Sequence, residues 1–225
     1  RERELVTARE QDVEPRAGHD VILTIDAELQ HIVETELAEA MPRFSPAGIC
    51  SIVVRPRTGE ILALANLPTF DPNNFGDAPA SARRNLAISS NYEPGSTFKI
   101  VAGSGALNDG LIHLDTRFDC EGGRTYFAGK PLRDDHSFGV ISVEEIIGKS
   151  SNIGTFKIAL QLGPERLYKY ICGYGFGSVS GISLLGEENG IVHPPKKWSK
   201  LSISRIPIGQ GIAVTPLQMV MAMSA

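Results

Sequence analysis

The sequence predicts an α+β domain with a mostly antiparallel sheet at one end. Three observations lead there. Two apolar, strand-like runs flank a Pro-Arg-Thr-Gly turn within residues 49–65, and the apolar spacing that follows is mainly helical. The chain, 225 residues with 42% apolar content, is also long enough to bury a sizeable core as one domain with a flanking N-terminal piece.

In chain order, residues 21–25 are apolar and β-branched, which predicts a short strand. Asp26 caps a helix in which Leu29, Ile32, Val33, Leu37 and Ala40 trace one face, ended by Pro42. Residues 49–55 and 60–65 form two strands of a hairpin, because proline first and glycine last in Pro56-Arg57-Thr58-Gly59 suit a type I turn. Residues 68–79, rich in Pro, Asn and Asp, are a loop. Pro94-Gly95 cannot sit inside a helix, so one starts at or beside Ser96. Its apolar positions are Phe98, Val101, Ala102, Ala106 and Leu107, and Asn108-Asp109-Gly110 stops it. Residues 119–139 are a glycine- and charge-rich connection to a second helical region, which continues over 155–162 and restarts at Pro164. Residues 173–177 read Gly-x-Gly-x-Gly but have no strand before and no helix after, so they predict a turn and not a phosphate cradle. Thr215-Pro216 opens a last helix that runs through Met223, and no internal repeat occurs.

Two clusters carry chemistry. Ser96 and Lys99 stand one helical turn apart at the positive end of a helix, about 5–6 Å between Cβ atoms. A capping box would place Glu or Gln three residues after the serine, because free N–H groups favour an anion there. Here a cation takes that place. Its position together with burial lowers the lysine pKa, and the serine gains a neutral amine as its base. The plain alternative is an ordinary N-cap beside a solvated lysine. Ser150-Ser151-Asn152 weighs against it, since two hydroxyls and an amide between apolar stretches are costly to bury unless something engages them. Folded against the first cluster, Ser150 can relay a proton and Asn152 can hold a substrate amide. The histidines offer a weaker base: only His136, in Asp134-Asp135-His136, adjoins carboxylates, and no Gly-x-Ser-x-Gly elbow presents a serine to it. His19, His31, His113 and His193 lack partners at metal-ligand spacing, and Cys50, Cys120 and Cys172 suggest neither a disulfide framework nor a metal site, while an oxidising compartment would allow two of the three to pair and the sequence selects no pairing.

Tyr92-Glu93-Pro94-Gly95-Ser96-Thr97-Phe98-Lys99 and Lys149-Ser150-Ser151-Asn152-Ile153-Gly154 resemble the first two active-site motifs of class B penicillin-binding proteins, the D,D-transpeptidases that cross-link peptidoglycan. Further stretches agree, among them Asp20-Val21-Ile22-Leu23-Thr24-Ile25-Asp26, Pro56-Arg57-Thr58-Gly59-Glu60, Asp71-Pro72-Asn73, Pro164-Glu165-Arg166-Leu167 and Gly209-Gln210-Gly211-Ile212-Ala213-Val214-Thr215-Pro216. The resemblance implies the fold shared by these transpeptidases and the serine β-lactamases: a five-stranded antiparallel sheet between helices, a helical lobe, and the reactive serine in the cleft between them. It also implies the roles. Ser96 attacks the carbonyl between two terminal D-alanines of a stem peptide, Lys99 takes its proton, Ser150 passes a proton to the leaving nitrogen, and Asn152 binds the peptide amide. The acyl group then passes to an amine on a neighbouring stem. A β-lactam acylates the same oxygen. Neither metal nor organic cofactor is implied.

The family's third motif, Lys-Thr-Gly, occurs nowhere in the chain, and relatives carry it after the segment resembling residues 209–218. The expectation is therefore a C-terminally truncated transpeptidase domain over residues 19–225, preceded by residues 1–18 as the tail of a linker from an N-terminal pedestal domain. Without the strand that bears Lys-Thr-Gly, this fragment is expected to be inactive. The family also implies an N-terminal membrane anchor, a site of action on the outer face of the bacterial cytoplasmic membrane, and a SEDS-type glycosyltransferase as partner. Nucleic acid is excluded by a net charge of −4 with scattered lysine and arginine. Lys196, Lys197 and Lys200 around Trp198 read as a solvated loop. Two rival functions share the serine and lysine: a serine β-lactamase, for which Glu187-Glu188 would have to activate water, and a non-catalytic β-lactam sensor or scaffold. Between Gly186 and Gly190, the two glutamates read as a solvated turn.

Overall fold

The computed structural model describes residues 16–225. The expected linker, residues 1–18, lies almost wholly outside the described residues. The predicted strand at residues 21–25 does not form. A strand needs a ladder partner, and among the described residues the hydrogen bonds here are the Thr24 hydroxyl on the Ile61 carbonyl at 2.6 Å and, one residue past the segment, the Asp26 N–H on the Leu62 carbonyl at 2.9 Å. Val21 and Ile22 are consequently 82% and 95% exposed.

Helix α1, Ala27–Phe44, starts where expected, with the Asp26 carboxylate accepting the N–H groups of Glu28 and Leu29. It does not end at Pro42 but carries that proline in its last turn and stops at Ser45, which is left-handed (φ 46°). With only two helical residues beyond it, the proline has little ladder left to disrupt. The hairpin is present as β1, Ile49–Val54, and β2, Ile61–Leu67, antiparallel with Ile49 opposite Leu67. Gly59, at φ 75°, closes the turn with its N–H on the Arg55 carbonyl, a geometry only glycine adopts without strain. Helix α1 covers β2, and the Gln30 side chain of α1 behaves like a neighbouring strand. Its Oε1 accepts the Leu64 N–H at 2.8 Å and its Nε2 donates to the Leu64 carbonyl at 3.1 Å.

After a 3-10 turn at Pro72–Asp77, which interrupts the expected loop, come α2, Leu86–Ser89, and α3, Lys99–Asn108. The connection at 119–139 is more ordered than its composition suggests. It lies within two small antiparallel sheets: β3, Arg117–Asp119, pairs with β6, Val140–Ser142, while β4, Arg124–Phe127, pairs with β5, Lys130–Arg133. Then follow α4, Val143–Gly148; α5, Asn152–Leu162; α6, Pro164–Gly173; α7, Ser202–Arg205; and α8, Pro216–Met223. Residues 173–177 are the expected turn, with Gly175 and Gly177 at positive φ.

Among the described residues the core has three parts. Phe98, Val101 and Ala102 of the α3 region pack with Ala159, Leu162, Leu167 and Phe176. Ile146 of α4 and Ile153 and Phe156 of α5 pack with Ala106 and Phe118. A smaller cluster of Ala87, Ile88 and Leu217 backs the hairpin. Helix α3 belongs to the first two, and Ser96, Lys99, Ser150 and Asn152 lie along the seam between them.

Candidate active site

The approach to Ser96 is held by backbone. Gly95, at φ 59°, donates its N–H to the Gly209 carbonyl at 3.1 Å, and a Cβ on Gly209 would lie 2.1 Å from the Gly95 carbonyl oxygen. Only glycine allows two main chains to meet so closely. Alongside, the Gly211 N–H donates to the Glu93 carboxylate at 2.7 Å, and Tyr92 and Val214 form an antiparallel bridge. Residues 209–214 therefore buttress the turn that leads into Ser96.

Ser96 sits in a 3-10 turn, Gly95–Phe98, that runs directly into α3. It is not the ordinary N-cap weighed above. The Thr97 hydroxyl bonds back to the Pro94 carbonyl, while the exposed Ser96 hydroxyl has no hydrogen-bond partner among the described residues. Phe98 is fully buried against Phe176, with ring centroids 4.9 Å apart, and this fixes the rotation of the turn.

Lys99 is 2% exposed. Its ammonium does not bond to the Ser96 hydroxyl, as the one-turn spacing suggested. Instead Nζ donates to the Ser150 carbonyl at 2.5 Å and to the Ser150 hydroxyl at 2.8 Å. Burial lowers its pKa to about 8, with Asp134 and Asp135 acting more weakly in the opposite direction. The lowered pKa expected from the sequence is present, and burial is its leading cause.

The second cluster lies beside the first. Helix α4 ends in a reciprocal pair of bonds, Ser151 N–H to the Ile146 carbonyl and Ser150 N–H to the Ile147 carbonyl, which places Ser150 in the left-handed region at φ 60°. Glycine normally takes that place, so a serine here is strained. Ser151 then caps α5, its hydroxyl oxygen accepting the Gly154 N–H at 2.9 Å. A Cβ on Gly154 would come within 2.5 Å of the Ile146 side chain, so its absence lets α4 and α5 close around the turn. Asn152 donates its side-chain amide to the Arg133 carbonyl at 2.7 Å, which fixes the amide plane and leaves Oδ1 available to accept.

Sequence reasoning missed Asp134 as a partner of this turn. Its carboxylate accepts the N–H groups of Asn152 and Ile153 and the Ser151 hydroxyl. Those partners are 17–19 residues away in sequence, and most of them are main-chain groups that no side-chain pattern announces. The imagined Asp-His-Ser arrangement has no counterpart, because Asp134 bonds to α5 and the exposed His136 packs beside Phe138. Glu187 is engaged by the Ser180 and Gly181 N–H groups, consistent with its turn. Burial raises the Cys120 thiol above its ordinary value, so the sulfur behind Ser151 is a neutral packing atom. Among the described residues no cluster of three His, Cys, Asp or Glu could hold a metal ion, and no helix is long and apolar enough to cross a membrane.

Residues 49–225 match the penicillin binding protein transpeptidase domain family. Stage V sporulation protein D of Bacillus subtilis is 36% identical over 214 residues, covering 94% of this chain and 33% of that protein. The peptidoglycan D,D-transpeptidase FtsI of Escherichia coli is 31% identical over 204 residues, covering 91% of this chain and 34% of its own length. The crystal structure of penicillin binding protein 3 from Mycobacterium tuberculosis complexed with aztreonam superimposes with a TM-score of 0.84 at 35% identity, over 92% of this chain and 47% of that one. The chain thus spans about a third of the length of the curated relatives it matches.

Proposed function

Since this chain belongs to the penicillin-binding-protein transpeptidase family, we propose that the protein carrying it is a peptidoglycan D,D-transpeptidase working through an acyl-enzyme on Ser96. The observation that carries the reading is the buried Lys99 amine, which meets Ser150 from the second motif while standing one turn from an unengaged Ser96 hydroxyl. With a pKa of about 8, Lys99 is partly neutral at physiological pH and serves as the base that takes the Ser96 proton. The Ser96 oxygen attacks the carbonyl between the terminal D-alanines of a stem peptide, and the Ser96 N–H, in the first turn, supplies one donor for the oxyanion. As the amide breaks, the proton returns through Ser150 to the departing D-alanine nitrogen. Asn152 Oδ1 accepts an N–H of the bound peptide. The amine of a neighbouring stem then attacks the ester and frees Ser96.

Residues 19–225 belong to the transpeptidase domain in this reading, with 1–18 as the end of a preceding linker. Peptidoglycan stem peptides are the substrates and β-lactams the inhibitors. A membrane anchor, an extracytoplasmic position and a SEDS-type glycosyltransferase partner belong to the same proposal. The lifetime of a fluorescent penicillin adduct on the full-length protein tests it. A transpeptidase holds the adduct for minutes or longer and loses it entirely in Ser96→Ala. Release within seconds supports a β-lactamase, no labelling supports a non-catalytic scaffold, and labelling that persists in Ser96→Ala removes Ser96 from the mechanism.

A further inference from the structure

Asp134 directly follows β5, and it meets the second motif at three points. One carboxylate oxygen accepts the N–H groups of Asn152 at 2.5 Å and Ile153 at 3.0 Å; the other accepts the Ser151 hydroxyl at 2.8 Å. Those two N–H groups are first-turn donors that have no partner within α5. Its neighbour Arg133 accepts the Asn152 side-chain amide at 2.7 Å, so two consecutive residues at the end of a strand grip Asn152 by main chain and side chain together. One residue before this grip stands Ser150, strained at φ 60°, whose carbonyl and hydroxyl hold Lys99. A strained residue persists only where its surroundings over-determine it. The Schellman bonds of α4 fix Ser150 from one side, and the Asp134 grip fixes it from the other.

We propose that Asp134 is a positioning residue of the acyl-transfer site: its carboxylate clamps the start of α5 so that Ser150 and Asn152 face the reacting groups, and its negative charge stands opposite the Lys99 amine. Its catalytic meaning rests on the acyl-transfer reading above. The charged groups that act on Lys99 among the described residues are Asp134 and Asp135. Both oppose the effect of burial, so they set how far the lysine pKa falls. Asp135 is exposed and contributes charge without bonding to α5. Asp134 alone joins the two roles.

Two readouts on the full-length protein test this. The first is the pH dependence of acylation by a fluorescent penicillin. The second is the titration of Lys99 followed through its 13Cε shift in lysine-labelled protein, assigned by its loss in Lys99→Arg. Asp134→Asn keeps the shape of the carboxylate and removes its charge, so the Lys99 titration and the acid limb of acylation both move down by about half a pH unit or more. Asp134→Ala also removes the clamp, and the plateau rate falls about tenfold or more, as misplacement of reacting groups does. A cap with a purely structural role would lower the rate and leave the titration where it was. An unshifted Lys99 titration in Asp134→Asn, or an unchanged plateau in a folded Asp134→Ala, overturns the proposal. Should Asp134→Ala not fold, Asp134→Asn decides alone. The lysine titration needs no acylation, so absence of labelling on Ser96 sinks the transpeptidase reading while leaving this test intact.

Discussion

In the proposed mechanism Lys99 is the residue on which the chemistry turns, and its burial sets a pH dependence of definite sign. Below about pH 8 the folded protein holds a buried ammonium, and above it a neutral amine. Acylation of Ser96 is therefore expected to rise through pH 8 and then level off, measured as the second-order rate of penicillin labelling. Folding stability follows the same group. The unfolded chain binds the lysine proton up to its ordinary value of 10.5, so between pH 8 and 10.5 the unfolded state carries more protons and stability rises with pH. Urea unfolding of the wild type relative to Lys99→Met should show that rise, on the order of 3 kcal/mol, confined to this window. Ser150 makes the complementary case. Glycine relieves the left-handed backbone but removes the hydroxyl that meets Lys99. Ser150→Gly is expected to be about 1 kcal/mol more stable in chemical denaturation than Ser150→Ala, which equally lacks the hydroxyl but keeps the Cβ, while both lose most of the acylation rate. A glycine variant no more stable than the alanine variant would show that the φ of 60° stores no strain.

Elements with a long apolar period and a capping residue were legible before any coordinates. Helix α1 behind Asp26, α3 before Asn108-Asp109-Gly110, α8 behind Thr215-Pro216 and the hairpin around Pro56 to Gly59 all stand where their residues put them. What failed depended on partners distant in sequence. Residues 21–25 have the composition of a strand, yet they touch the hairpin only where Thr24 and Asp26 bond to Ile61 and Leu62, and beyond that point on β2 the Leu64 main chain is bonded by the Gln30 side chain. Strands β3 to β6 are only three or four residues each, too short for alternation to stand out from a glycine-rich connection. The Gln30 contact carries its own expectation. Gln30→Ala leaves the Leu64 N–H and carbonyl without their side-chain partner, which costs about 1–3 kcal/mol in urea unfolding. Wild-type stability in that variant would mean that water replaces the amide without penalty.

Across the whole molecule the site is a seam between two core clusters. Ser96 and Lys99 ride on the segment whose Phe98, Val101 and Ala102 anchor one cluster, while Ser150 and Asn152 join α4 and α5, whose Ile146, Ile153 and Phe156 anchor the other. Helix α3 contributes to both, so the two halves of the site keep a fixed spacing, and of Ser96, Lys99, Ser150 and Asn152 Lys99 alone is buried. The sequence showed that these two clusters belong together but not which atoms meet. Spacing along one helix pointed Lys99 at Ser96, whereas the fold turns its ammonium toward a residue 51 positions away. Asp134 was invisible for a related reason, since its ligands are the first N–H groups of a helix and become visible only once that helix has a direction. The most direct measurement is peptide mapping by mass spectrometry of the full-length protein after incubation with a penicillin at pH 8. A stable adduct of one penicillin per chain is expected on the peptide containing Ser96, absent from Ser96→Ala and strongly reduced in Lys99→Met. An adduct on any other residue, or full modification of Ser96 in the Lys99→Met protein, would contradict a serine activated by its neighbouring amine.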